Sequence, residues 1–230
     1  MEENWLDDDY VRYYNSAYKT SPEEFSQYLQ ILELKSEDIL LDLGCGDGAF
    51  LQLAAPQVHR AYGIDISMLQ VNLANQRLQE MPQAQALCSD FVGAAAVLKS
   101  AMPNGKDLAP ISKVFSRKAL HHLPEPQKLH MLQNLHPLLA PKALIYIEDG
   151  IFYNFERQDI QKNLPALLEE CAKYYGDSWE NKRHDLLNSF LNEYPSGLGF
   201  WRRALVSIGF QITQTLPRCT FYGGILARKI

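Results

Sequence analysis

Short apolar runs ending in acidic or small polar residues alternate with amphipathic stretches over the first two thirds of the chain. Ile39–Leu43, Ala61–Ile66, Ala84–Phe91, Ile111–Ser116 and Ala143–Asp149 have strand length and composition. Between them, Ala49–Ala54, Met68–Glu80, Gly93–Met102 and Pro126–Leu139 carry the spacing or composition of helices. Ser67 stands where it can cap the second of these, and Leu129, Leu132, Leu135 and Leu139 share one side of the last. Upstream, Ser21 as cap and Pro22 at the first helical position predict a helix over Glu23–Leu34, with Phe25, Tyr28, Leu29 and Leu32 on one face. Pro103-Asn104-Gly105 is a turn signal in the long connection before the fourth strand.

After Ile151 the pattern becomes helical as far as about Phe200, too long for a plain loop. We read 151–198 as a helical cap over the carboxyl edge of the sheet; its aromatic stripe suits either a small core or a pocket lining. Gly199–Phe210 reads as a helix closed by Gly209, and Gln211–Leu216 with Thr220–Ala227 as an antiparallel strand pair at one edge. The expected fold is α/β in a single domain spanning 1–230: a doubly wound, mostly parallel, seven-stranded sheet of Rossmann type with an antiparallel last strand.

Composition narrows the function classes. The chain has 230 residues, 47% hydrophobic and 21% charged, with net charge −5 and no block of Lys and Arg. That disfavours a nucleic-acid partner. Cys45, Cys88, Cys171 and Cys219 form no CxxC, so neither a zinc site nor another metal is expected. The acidic start, Met-Glu-Glu-Asn-Trp-Leu-Asp-Asp-Asp, is unlike a targeting peptide, and no apolar run approaches bilayer length. A cytoplasmic protein without a membrane partner is the expectation; its oligomeric state is left open.

Candidate chemistry centres on Asp42-x-Gly44-x-Gly46-x-Gly48. Glycines there let the chain turn tightly and let a ligand lie against bare backbone, while the following helix offers unpaired N–H groups. Gly44-x-Gly46-x-x-Ala49 also fits a dinucleotide fingerprint, which keeps an NAD-dependent oxidoreductase as an alternative. Asp65 follows Asp42 at the carboxyl end of the next strand, where a carboxylate can accept from both ribose hydroxyls. The spacing from Asp42 to Gly48, and the run Ala119-Leu120-His121-His122-Leu123, resemble class I S-adenosylmethionine-dependent methyltransferases acting on small molecules. Ser112 stands where that family usually has an acid, and Pro141-Lys142-Ala143 where it has Pro-Gly-Gly.

The resemblance implies S-adenosyl-L-methionine as cofactor, held by Asp42, Gly44, Cys45, Gly46 and Gly48, by Asp65, Ile66, Ser67 and Met68, by Asp90 and Phe91 at the adenine, and by Ser116 and Arg117. Residues 1–38 form an N-terminal segment with two readings: a helix packed on the sheet with aromatic contacts to the core, or, as the resemblance implies, a Tyr-rich stretch before that helix folding over the cofactor as a lid. His121 and His122 are the base candidates, because imidazole titrates near neutrality. Tyr14, Glu148, Tyr153 and Tyr222 are candidates for contacting the acceptor. Ser116-Arg117-Lys118-Ala119 replaces the Asn/Asp-Pro-Pro-Tyr/Phe of base-amine methyltransferases, so a small-molecule acceptor is expected. A non-catalytic S-adenosylmethionine-binding regulator would carry the same motifs.

Overall fold

The computed structural model describes residues 5–18, 20–102 and 110–230. The turn expected at Pro103-Asn104-Gly105 lies outside them. Strands β1 (Ile39–Leu43), β2 (Arg60–Asp65), β3 (Ala84–Cys88), β4 (Ile111–Arg117) and β5 (Leu139–Phe152) are parallel, in the spatial order β3-β2-β1-β4-β5. A two-residue strand, β6 (Ser196–Gly197), extends the end of β5. The sheet closes with β7 (Phe210–Pro217) and β8 (Tyr222–Lys229): β8 inserts antiparallel between β5 and β7. The dinucleotide alternative needs a second βαβ half beyond β5, and this antiparallel pair fills that edge instead.

Alternation along the strands splits the core into two layers. Leu41, Leu43, Ile64, Val114, Ile145 and Ile147 face one layer. Leu40, Ala61, Phe115, Leu144 and Tyr146 face the other. Both faces are therefore dry, which is why the parallel strands read as continuous apolar runs.

The helices follow the expected order, with boundaries set by local chemistry. α1 (Asp8–Ala17) was not legible in the pattern: Val11 is its one buried residue, and it is held by Asp7, whose carboxylate accepts from the Asp9 and Tyr10 N–H groups. α2 (Pro22–Leu32) is capped by Ser21 and stops at Glu33, which turns left-handed. α3 (Ala49–Ala54), α4 (Met68–Arg77) and α5 (Ala94–Ala101) cross over between strands, with Ser67 capping α4. α6 (Glu125–Leu135) ends before the expected Leu139, because Pro137 lacks the N–H to continue and the chain tightens through His136–Leu138. β5 begins and ends beyond the apolar Ala143–Asp149 run, lengthened by its pairing with β8 and β6.

α7 (Ile160–Tyr175) and α8 (Trp179–Asn192) form the region read as a cap. Their aromatic stripe makes a separate small core: Phe152, Ile160, Leu167, Cys171, Phe190 and Phe221 pack together, with Phe155 stacked on Phe152. α9 (Leu198–Ser207) then leads through left-handed Gly209 into β7. Among the described residues, no helix is long and apolar enough to cross a membrane.

Candidate active site

The glycine loop after β1 is the floor of a cleft at the carboxyl ends of β1, β2 and β4. Gly44, Gly46 and Gly48 all have positive φ, at 77°, 53° and 76°. Their surroundings differ. A Cβ on Gly44 would overlap that of Ala119, and one on Gly48 would lie 2.9 Å from that of Ala74. Above Gly46 the nearest such neighbour is Gln70 Nε2 at 3.9 Å. Two glycines thus permit close packing, and the middle one opens backbone to the cleft. Gly44→Ala is expected to cost about 3 kcal/mol, from left-handed strain plus overlap. Gly46→Ala should cost about 1 kcal/mol of stability yet block ligand binding. Urea unfolding of both variants, beside ligand titration, checks the contrast.

Asp65 ties this floor to the next helix. Its Oδ2 accepts from Gly46 N–H at 2.9 Å, and its Oδ1 from Ser67 N–H at 3.0 Å. Burial raises its pKa, and the backbone N–H groups of Ser67 and Gly46 oppose that shift. Asp42 lies beneath, 2% exposed. Burial, and then the charge of Asp65, raise its pKa well above the ordinary aspartate value. Asp90 Oδ1 accepts from Gly93 N–H at 2.5 Å, which fixes the turn after β3.

The cavity above the loop spans about 700 Å³, counted out to its mouth. Of the sequence candidates, its wall contains Tyr14, Gly44, Gly46, Asp65, Ile66, Asp90, Phe91, Arg117 and His122. Asp42, Cys45, Gly48, Ser67 and Ser116 sit behind that wall: the Ser67 hydroxyl caps α4, and the Ser116 hydroxyl donates to Leu43 O at 2.9 Å. Met68 is off the wall and 58% exposed. Trp5, Gln70, Ser89, Lys118, Ala119 and Leu123 complete the lining. None of these stood out individually in sequence, although Trp5 lies in the aromatic N-terminal stretch and Ala119 and Leu123 in the His-His run.

The N-terminal segment forms one side of this cavity. Asn15 and Gln70 exchange a reciprocal pair of amide hydrogen bonds, each 3.0 Å, fastening α1 to α4. Tyr18 donates to Asp185 of α8, and Lys182 sits 4.0 Å over the Tyr18 ring. Trp5 Nε1–H donates to His122 Nε2 at 3.2 Å.

The adjacent histidines separate in role. Burial lowers the pKa of His121, but Asp149 at 2.5 Å and Glu193 at 3.3 Å outweigh it, and the net shift is upward. Burial, and then the charge of His121, push His122 well below the usual imidazole value. His122 is therefore the neutral ring, and of the two it is the one on the cavity wall. Asp149 also accepts from the N–H groups of Leu120 and His121, at 2.8 and 3.1 Å, so it positions the whole loop.

Glu148, Tyr153 and Tyr222 lie behind the wall. Glu148, 1% exposed, accepts from Tyr28 Oη (2.6 Å), Tyr222 Oη (2.7 Å), Tyr146 Oη (2.8 Å) and Arg218 Nε (3.0 Å). Its acceptor positions are filled by this protein's own groups. Tyr153 donates to Gly224 O at 3.2 Å. Arg117 spans the two regions: it lines the cavity while donating to Tyr28 Oη, Thr20 Oγ1 and Glu24 Oε1, at 3.0, 2.7 and 2.6 Å.

A mostly parallel sheet closed by an antiparallel hairpin, with a glycine loop after β1 and an acid at the end of β2, defines the class I S-adenosylmethionine-dependent methyltransferase fold. The chain belongs to the methyltransferase-domain family, whose sequence pattern matches residues 10–193. An uncharacterised methyltransferase of Oceanobacillus iheyensis is 25% identical over 181 residues, which are 75% of this chain and 79% of that one. Among solved structures, a proposed sarcosine dimethylglycine methyltransferase from Galdieria sulphuraria superimposes with TM-score 0.66 at 15% identity, covering 96% of this chain and 98% of that one. Magnesium protoporphyrin IX methyltransferase from Synechocystis, with bound S-adenosylmethionine, gives 0.62 at 15% identity, covering 100% and 95%. Geranyl diphosphate C-methyltransferase from Streptomyces coelicolor gives 0.64 at 10%, covering 100% and 96%. At these identities the likenesses to solved structures speak to the fold alone.

Proposed function

We propose that this protein transfers a methyl group from S-adenosylmethionine to O, N or C of a small-molecule acceptor. One observation carries the reading. Asp65 grips Gly46 N–H beside the open space above Gly46, so a buried carboxylate and bare backbone face the same cavity. A carboxylate oxygen has a second acceptor position, which suits the vicinal hydroxyls of a ribose. Asp90 and Phe91 line the same cavity beyond β3 and would hold the adenine. The residues present therefore fit the cofactor.

When bound, S-adenosylmethionine supplies a methyl group already activated on a sulfonium. The protein's part is to hold the acceptor in line and keep water out. Trp5, Tyr14 and Leu123 supply apolar and aromatic wall. The two aromatic rings can also face a sulfonium by cation–π contact. His122 is held neutral at the same wall, with the lone pair on Nε2 that now accepts from Trp5. An acceptor that arrives protonated would lose its proton there only by displacing the Trp5 N–H from that lone pair.

Isothermal titration tests the cofactor half. S-adenosylmethionine and S-adenosylhomocysteine are expected to bind at about micromolar Kd, near −8 kcal/mol, and NAD not measurably. Tight NAD binding with no binding of either adenosyl compound would overturn the reading. Methyl transfer from labelled cofactor across phenols, amines, carboxylic acids and thiols tests the acceptor half.

A further inference from the structure

Where the β4–α6 connection meets the chain just after α8, two imidazoles and a carboxylate converge. One donor atom each from His121, His122 and Glu193 lies within 4.8 Å of the other two. His121 Nε2 is 3.3 Å from one Glu193 oxygen, and His122 Nδ1 is 3.5 Å from the other. Ligands about 2.1 Å from a tetrahedral zinc are about 3.4 Å apart, which the two imidazole–carboxylate distances match.

Two independent features point to an ion. Nδ1 of His122 is completely buried and, 3.5 Å from the Glu193 carboxylate, has no hydrogen-bond partner among the described residues. A polar atom left in that state calls for a water or an ion. The second feature is the outer ring of contacts. Asp149 Oδ1 holds His121 Nδ1 at 2.5 Å, while its Oδ2 accepts from two backbone N–H groups of the same loop. That arrangement leaves Nε2 as the coordinating nitrogen and fixes the ring plane, as carboxylates do behind metal-bound histidines. The chain next to Glu193 is anchored as well: Tyr194 N–H donates to His121 O at 2.7 Å, and Lys128 Nζ donates to Tyr194 O. The carboxylates of Asp149 and Glu193 match the charge of a divalent ion, with Lys128 the nearby cation contributed by α6.

We propose that His121 Nε2, His122 Nδ1 and Glu193 bind a divalent ion of the zinc type, with water at a fourth position, pinning the end of α8 to the loop after β4. Imidazole and carboxylate ligands suit zinc, nickel and ferrous iron rather than calcium or magnesium. His121 and Glu193 lie behind the cavity wall and His122 is part of it; the site needs no bound cofactor, so ion binding is tested independently of the methyl-transfer reading. Coordination through Nδ1 leaves the ring proton of His122 on Nε2. The bond from Trp5 then gives way, and no imidazole lone pair remains at the cavity wall, so the ion-bound protein excludes the base role proposed for His122 in the ion-free one.

The test uses the full chain freed of metal by chelator and dialysis. Titration with ZnCl2 is expected to show about one ion per chain at micromolar Kd or tighter. His122→Ala and Glu193→Gln should each weaken it at least tenfold, and zinc should raise the melting temperature of the unaltered protein but not of Glu193→Gln. Addition of CoCl2 to the unaltered protein should give the intense visible bands of four-coordinate cobalt, a readout that does not depend on any variant folding. No binding up to millimolar zinc, only the pale spectrum of six-coordinate cobalt, or affinities untouched by both substitutions would overturn the proposal. In that case a proton on His121 between its two carboxylates suffices.

Discussion

Asp65→Ala is expected to weaken S-adenosylhomocysteine binding about 100-fold, near 2.7 kcal/mol. The substitution removes more than a ribose contact. Asp65 Oδ2 also holds Gly46 N–H, and its Oδ1 holds Ser67 N–H at the start of α4. Without the carboxylate, the open glycine and the helix N-terminus lose the tie that keeps both facing the cavity. Charge-assisted bonds of this kind contribute about 1.5–3 kcal/mol each, so losing the ligand bonds alone accounts for the expected change. Asp65→Asn keeps the volume but turns one acceptor into a donor, and should recover only part of the affinity. Calorimetry gives the Kd values, and circular dichroism shows whether the variants stay folded. A change below threefold in Asp65→Ala would mean that the sugar is held elsewhere.

Glu148→Ala should have the largest effect on stability, about 3–5 kcal/mol, the usual cost of breaking a buried charge network from one side. Three tyrosine hydroxyls and Arg218 donate to this carboxylate, and Arg117 approaches it at 3.5 Å. Removing it leaves those donors facing one another in a dry space. Urea unfolding monitored by tryptophan emission measures the loss. The same site predicts the direction of acid unfolding. Burial alone would raise the pKa of Glu148, but the hydroxyls of Tyr28, Tyr222 and Tyr146, and then Arg218, bring it below the ordinary glutamate value. A depressed carboxyl pKa gives stability that is complete above the unfolded value of about 4.3 and lost as pH falls through the folded value. Stability of the unaltered protein should therefore drop as pH is lowered below about 4.3, and Glu148→Gln should show a shallower fall. An equal slope in the two proteins would place the acid sensitivity in other carboxylates.

The strands, the crossover helices and the glycine loop were legible in the chain because their causes are local. Ile39–Leu43 is apolar on both faces, Asp42 apart, because both faces are covered, Ser21 and Ser67 cap the helices that follow them, and positive φ at Gly44, Gly46 and Gly48 favours glycine. The acid at the end of β2 could likewise be placed by counting from Asp42. Tertiary structure decided what each polar group faces. Glu148 and Asp149 are neighbours on one strand, yet one is closed in by tyrosines and the other holds the His121 loop. His121 and His122 are also neighbours, yet Asp149 and Glu193 raise the pKa of the first while burial, and then His121, lower that of the second. Trp5 and Gln70 reached the cavity wall, and the aromatic stripe of the cap turned inward as a core of its own. Periodicity reports relations a few residues apart, whereas these outcomes rest on pairs such as Tyr28 with Arg218, 190 positions apart and joined at 3.2 Å.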